Sequence, residues 1–272
     1  MMRGKSHKAS ALSIQFMSRF TFGTPEIHNK PMARLFAGTS GFAYAQWKPQ
    51  FYPAKLPANK FLEHYAQRLN SVEINYTFRR MPSAATLENW VAATPPGFLF
   101  ALKAHMRITH IMRLRNAAEA TGVFLRAIDP LRTARRLGPV LFQLPPQMKC
   151  DMDLLRSFVE ILPEDLPYAF EFRHASWLVD DVYRLLETRN ISLCVAESEK
   201  LEVPEVITAD FVYYRLRKPD YTAEDIESIA GRALGLLGQG KDLFLMFKHE
   251  ETPDGALHAE EVLRKAGLSQ TG

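Results

Sequence analysis

Cysteine is scarce in this chain. Two residues, Cys150 and Cys194, among 272 exclude a disulfide framework and point to a reducing, cytoplasmic setting. Long apolar runs are missing too. Nothing approaches the ~18 uninterrupted apolar residues of a membrane-spanning helix, so no membrane partner is expected. No candidate strand is followed by the Gly-rich phosphate signature of dinucleotide-binding or P-loop proteins. The His-Glu-x-x-His spacing of zinc hydrolases and the Gly-x-Ser-x-Gly nucleophile elbow are also absent. No cofactor is expected; a divalent metal gathered from distant residues stays open. His110, His174 and His249 lie near strand ends without ligand spacing. Cys194 sits inside the apolar run 191–195 and reads as a small core residue, not a nucleophile.

What is present suits one large core. Hydrophobic residues make up 47% of the chain, and 18 are Phe. The length exceeds the usual single domain but is ordinary for an α/β barrel. The net charge is a modest +4, unevenly spread. Lys103, Arg107, Arg113, Arg115, Arg126, Arg132, Arg135 and Arg136 face only Glu119 and Asp129 in that stretch. Such a run is either a solvated helix face or a phosphate-attracting surface. Residues 1–31 carry Arg3, Lys5, Lys8, Arg19 and Lys30 against Glu26 alone and show no sustained period. Leu12 to Phe20 is too interrupted for a secretory signal. A poorly ordered tail is expected there, from a transit-like segment or a mis-called start before Met32, with the folded domain spanning 32–272.

Strand and helix patterns alternate along the rest. Strands are expected at Arg34–Gly38, Ser71–Tyr76, Phe98–Lys103, Val140–Leu144, Tyr168–Arg173, Ile191–Ala196, Phe211–Leu216 and Leu243–Phe247. Helices are expected at Ala58–Leu69, Ser83–Ala92, Asn116–Arg136, Asp151–Leu162, Trp177–Arg189, Thr222–Leu237 and Gly255–Ala266. The sixth helix is replaced by an ill-defined segment. Eight nearly continuous apolar strands favour a single (β/α)8 TIM-like barrel over an open doubly wound sheet.

Period-2 alternation then sorts the strand faces. With Phe98, Phe100, Leu102, Phe170 and Phe172 turned toward the helices, Lys103, Glu171 and Arg173 point inward. By the same rule Glu73 and Asn75 share a face, Gln143 points in, and Tyr213, Arg215 and Arg217 follow. Glu73, Asn75, Lys103, Gln143, Glu171, Arg173 and Arg215 then form one mouth at the carboxyl ends of the strands, where sites in this fold are built. Trp47 and Trp177 read as pocket wall or core, and His174 as a hydrogen-bond donor orienting the turn after it.

Several runs carry a resemblance: Ala37–Phe42 with Tyr44 and Trp47; Val72-Glu73-Ile74-Asn75 with Thr77-Phe78; Phe100–Ala104 with Ile108-Thr109-His110; Leu141–Pro146; and Glu171-Phe172-Arg173-His174 with Ser176-Trp177. In this order they closely resemble the YecE-like family, domain of unknown function 72, from about Arg34 to Ala266. The resemblance implies a TIM-like barrel and no established activity. Its motif positions are Gly38, Glu73, Asn75, Lys103, Gln143, Glu171, Arg173 and His174. The chain departs from the pattern late. It reads Arg215-Leu216-Arg217-Lys218 where the family commonly has His-Gly, and Lys248-His249 where it commonly has two Asn. Both changes add positive charge at the mouth.

The leading expectation is an enzyme using hydrolase- or isomerase-type acid/base chemistry on a small phosphate- or carboxylate-bearing substrate. Glu171 and Glu73 would be acid and base. Lys103, Arg173, Arg215 and His174 would hold the anion, with Gln143 and Asn75 orienting it. The Gly38–Gly41 turn would offer backbone N–H groups. Two alternatives stand beside it: a non-catalytic nucleic-acid-binding protein using the basic face, and a barrel whose mouth charges are a structural ion-pair network. The sequence leaves the oligomeric state open.

Overall fold

The computed structural model describes residues 32–248 and 251–268, together with Met1. The expected N-terminal tail, Met1 apart, lies outside the described residues, and so does His249. Eight strands run in chain order: β1 (Leu35–Thr39), β2 (Ser71–Ile74), β3 (Leu99–Lys103), β4 (Leu137–Gln143), β5 (Tyr168–Glu171), β6 (Ser192–Ala196), β7 (Phe211–Leu216) and β8 (Asp242–Phe247). Each pairs in parallel with its sequence neighbour from β2 to β8, and β8 pairs with β1.

The last seam, between β1 and β2, closes by other means. A single bridge joins Ser40 to Glu73, and the Gly41 N–H donates to the Glu73 carbonyl at 2.8 Å. Below it, side chains replace the ladder. The Asn70 amide accepts from the Ala37 N–H at 2.9 Å and donates to the Leu35 carbonyl at 2.8 Å. The Tyr65 hydroxyl accepts from the Thr39 N–H at 2.8 Å and donates to the Ser71 carbonyl at 3.0 Å. Gly38 sits in this seam, where a Cβ would fall 1.8 Å from the Ser71 carbonyl oxygen. With both edge strands satisfied, the sheet is a closed barrel, not an open one.

Helices cover its outside: α1 (Phe61–Arg68), α2 (Ala84–Ala92), α3 (Ala118–Ala127), the short α4 (Asp129–Thr133), α5 (Met152–Glu160), α6 (Asp180–Thr188), α7 (Ala223–Gly238) and α8 (Asp254–Lys265). Side chains cap several of them. Ser83 accepts from the Thr86 N–H and Asp151 from the Leu154 N–H, and Thr222 with Asp225 forms a capping box. Among the described residues no helix joins β6 to β7, as the pattern there suggested.

Two expectations need correction. Asn116–Arg136 is not one helix. Arg113, Leu114 and Asn116 adopt φ of 49°, 67° and 47°, which delays α3 to Ala118. Pro130, lacking an N–H, then opens a separate helix at its first turn. Strand β4 begins earlier than Val140. Gly138 lets it pass 3.3 Å from the Phe100 carbonyl as a Cβ would measure it, and Pro139 falls where the β3–β4 register shifts.

Alternation builds the core in two apolar layers. Phe100, Leu102, Phe142, Phe170 and Leu245 pack outward under the helices, and Trp47 and Trp177 belong to this layer. Phe36, Ala101, Leu141, Ala169, Cys194, Tyr213, Phe244 and Met246 pack inward. Phe36 and Tyr213 both stack on Phe244, at centroid distances of 4.7 and 6.0 Å, and share this inner layer with the small Ala101, Ala169 and Cys194. Each large side chain so buried contributes roughly 1.5–3 kcal/mol. The lower barrel is therefore dry, and the polar residues stand on an apolar floor.

Candidate functional site

On that floor lies a sealed layer of charge. Glu73 from β2, Glu171 from β5 and Arg215 from β7 are 0%, 1% and 2% exposed. Arg215 donates from Nη2 to Glu73 Oε1 at 2.7 Å and from Nη1 to Glu171 Oε2 at 2.5 Å. Glu73 also accepts from the Ser40 and Tyr213 hydroxyls, at 2.7 and 2.9 Å, and from the Asn75 amide at 3.3 Å. Glu171 accepts from Gln143 Nε2 at 2.8 Å and from Arg217 Nη2 at 3.2 Å.

Burial pushes both carboxyl groups toward the neutral form, but the cations and hydrogen bonds outweigh it. Arg215 and the Ser40, Tyr213 and Arg215 donors hold Glu73 below its usual value. Arg215, Arg217 and Gln143 hold Glu171 at about 2. Neither carboxyl group carries a proton to donate near neutral pH. An ionised carboxylate does not serve as a general acid, and the two carboxylates bridged by Arg215 form the kind of ion-pair network set out as an alternative.

The rim above differs. Lys103, at the end of β3, is half-buried. Its Nζ donates to Gln143 Oε1 at 2.6 Å and lies 4.1 Å from the Phe78 ring centroid. Among the described residues it has no carboxylate partner within ion-pair range. Burial, then Arg215, lowers its pKa to about 8, although Glu171 and Glu73 act the other way. Arg173, just past β5, is exposed, and its Nε stands 3.9 Å from Glu171 Oε1. Arg217, just past β7, reaches Glu171 from the opposite side. The Nε–H groups of Arg215 and Arg217 are buried and find no acceptor. His110 packs edge-on against Phe78 at 4.9 Å. Burial first, then Lys103, Arg173 and Arg113, depress its pKa. Beside the rim, a cleft of about 920 Å³ has Arg173, Arg217, Lys200 and Lys218 in its walls together with Glu197, Glu199 and Glu202. It is bordered by the segment 195–203 at and after the end of β6 and by residues 217–219 after β7. That volume is in the range of small-molecule sites.

Three expected contributors lie elsewhere. The Gly38–Gly41 turn has no N–H groups to spare at its upper residues. Those of Thr39, Ser40 and Gly41 are committed to Tyr65, Phe247 and Glu73. Gly41 takes φ 101°, and Tyr44 leaves no room for a Cβ. The His174 ring accepts the Ser176 N–H at 3.1 Å, where a donor was expected, and holds the turn Ala175–Trp177. The basic stretch is not one face. Lys103 ends β3 at the mouth, while Arg136 precedes β4 at the opposite end, buried against the Thr94, Pro95 and Phe98 carbonyls. Arg132 pairs with Asp129 and Asp165, and Arg115 with Asp151. Among the described residues no three His, Cys, Asp or Glu side chains converge to hold a metal. No described helix is long and apolar enough to cross a membrane.

The family model described as "Protein of unknown function DUF72" matches residues 36–272. The chain belongs to the DUF72 family. The UPF0759 protein YunF of Bacillus subtilis is 24% identical over 258 residues, spanning 81% of this chain and 92% of the relative. A DUF72 family protein from Thermotoga maritima superposes with a TM-score of 0.76 at 26% identity, over 85% of this chain and 98% of that one. A second, from Enterococcus faecalis, gives 0.70 at 19% identity, over 87% and 99%, and shows the shared fold.

In this DUF72 chain the least anticipated rim residue is Arg217. Alternation puts it on the inward face with Arg215, yet it was not among the candidate binders. Ser40 and Tyr213 were missed as partners of Glu73. The available signal was the same two-residue step from Gly38 and from Arg215. Phe78 had no signal beyond its place in the motif.

Proposed function

We propose that the protein is an enzyme that binds a small anionic substrate, carrying phosphate or carboxylate, at the rim formed by Lys103, Arg173 and Arg217. The carrying observation is the charge balance around Glu171. Four cations, Lys103, Arg173, Arg215 and Arg217, meet two carboxylates, Glu73 and Glu171, and Arg215 already bridges both carboxylates inside the barrel. The excess positive charge belongs to the rim, next to a cleft where Arg173, Lys200, Arg217 and Lys218 meet Glu197, Glu199 and Glu202, so an anion is the complementary ligand at the rim. The sealed carboxylates serve to hold the cations. Lys103, with its pKa lowered to about 8, can exchange a proton near neutral pH. The two free thiols fit a cytoplasmic setting.

A thermal-shift panel tests this reading. It covers phosphorylated sugars, organic acids, divalent metals and short oligonucleotides, each at two salt concentrations. A ligand that binds the native state alone raises the melting temperature. The expected result is a shift from one class of small anion in the wild type that is lost in Arg173→Ala and Arg217→Ala. A shift from oligonucleotides alone, abolished by salt, would replace this reading with a polyanion-binding one.

A further inference from the structure

We propose that Lys103 is a covalent site: its amine condenses with the carbonyl carbon of an anionic carbonyl compound to form an imine. The inference rests on the rim being the anion site and names the substrate class that site takes.

The argument begins with Gln143. Its amide can present either oxygen or nitrogen to Lys103. Glu171, ionised by Arg215 and Arg217, accepts the Nε2–H at 2.8 Å and so fixes the amide's orientation. The amide oxygen then faces the Lys103 Nζ at 2.6 Å. Lys103 is thereby given a neutral acceptor where an ion-paired lysine would have a carboxylate. Its other close neighbour is the face of Phe78, and Arg215 and Arg217 bear on it as like charges. A half-buried amine with a neutral acceptor, an aromatic wall and cationic neighbours is the arrangement that makes a lysine nucleophilic. A lysine meant only to grip an anion would be better served by full charge and bulk solvent. With its pKa near 8, roughly a tenth of the amine is neutral at pH 7, against well under a thousandth for an ordinary lysine.

The chemistry balances with water as the only by-product. The ammonium gives a proton to solvent. The Nζ lone pair then adds to the carbonyl carbon, and the C=O π pair moves to oxygen; the oxygen takes a proton and the nitrogen releases one to solvent, giving a neutral carbinolamine. A second proton lets that oxygen leave as water while the nitrogen lone pair forms the C=N bond. Arg173 and Arg217 stand beside this position to hold the carboxylate or phosphate of the same molecule. The fully ionised, sealed carboxylates below do not take part.

The test is reductive trapping. The full-length protein is incubated separately with pyruvate, 2-oxoglutarate and dihydroxyacetone phosphate, then reduced with borohydride and weighed by mass spectrometry. The expected product is a single adduct per chain with the mass of the probe less one oxygen. It should map to a tryptic peptide uncut at Lys103 and therefore running from Met81 to Arg107. Lys103→Arg keeps the charge and should abolish the adduct. The peptide map on wild type decides the matter even if that variant folds poorly. Adducts scattered over surface lysines, or none from any probe, would overturn the proposal. Thermal shifts with lactate and inorganic phosphate separate the two levels. If these anions stabilise the protein but no probe is trapped, the anion site stands and the imine falls. If nothing stabilises or traps, both fall.

Discussion

Glu73 and Arg215 at the base of the polar region share no exposed surface with solvent, whereas Arg173 and Arg217 at its top reach the cleft. The same kinds of charged group appear in both layers, on the same inward faces of the strands. They differ in what surrounds them. The lower layer has as many hydrogen-bond donors as its carboxylates require, and every oxygen is taken. The upper layer has cations in excess of carboxylates, while a buried Nε–H without an acceptor occurs in both layers, on Arg215 below and on Arg217 above. An inward-facing charge at a carboxyl strand end is therefore not yet a reacting group. Whether its partners are complete decides if it holds the barrel together or waits for a ligand.

The comparison breaks most visibly at Arg215. Replacing it with Met leaves Glu73 and Glu171 buried without their shared cation and should lower the unfolding free energy by about 3–5 kcal/mol in urea titrations. A loss below 1 kcal/mol would show the lower layer to be wet and expendable. Next comes the seam that fixes β1 against β2. Gly38→Ala forces a Cβ onto the Ser71 carbonyl and should cost about 1–3 kcal/mol. Tyr65→Phe, which orphans the Thr39 N–H and the Ser71 carbonyl, should cost a similar amount.

Acid titration sharpens the contrast. Glu171 is held at about 2, below its ordinary 4.5, so its ionised form favours the folded state. That contribution is complete above about pH 4.5 and fades as the pH falls toward 2. Glu171→Gln should lose this part of the acid dependence, read as a flatter stability profile over that window. At the rim, Arg217→Ala should leave stability within about 1 kcal/mol yet weaken small-anion binding by roughly tenfold or more, measured by calorimetry. Smallest of all, Arg132→Ala should leave the urea midpoint and the anion affinity unchanged within error.

Much of this was legible in the sequence, and the reason is periodicity. Apolar alternation in Phe98–Lys103 and Tyr168–Arg173 fixed the strand faces, and with them the inward placement of Lys103 and Glu171. Eight such runs supplied the barrel. The interrupted helix at Ile128–Pro130 was harder. Its apolar spacing continues through the break, and only Pro130 marks it. What could not be read was the state of the site. A strand pattern tells which way Glu73 points but not that Ser40, Tyr213 and Arg215 come from three other positions to saturate it. The roles of Asn70 and Tyr65 were hidden for the same reason: they replace backbone pairing between strands, which no local pattern announces. The Gly38–Gly41 turn looked like an anion nest because its N–H groups were counted before their partners were known.

The most direct test of the account is a crystal soaked in tungstate, a compact anion whose anomalous signal locates it without interpretation. The account predicts one strong peak at the carboxyl end of the barrel, bounded by Lys103, Arg173 and Arg217, with the Glu73–Arg215–Glu171 layer undisturbed beneath it. Peaks confined to Arg132, Arg135 or other outer surfaces, with the rim empty, would contradict it.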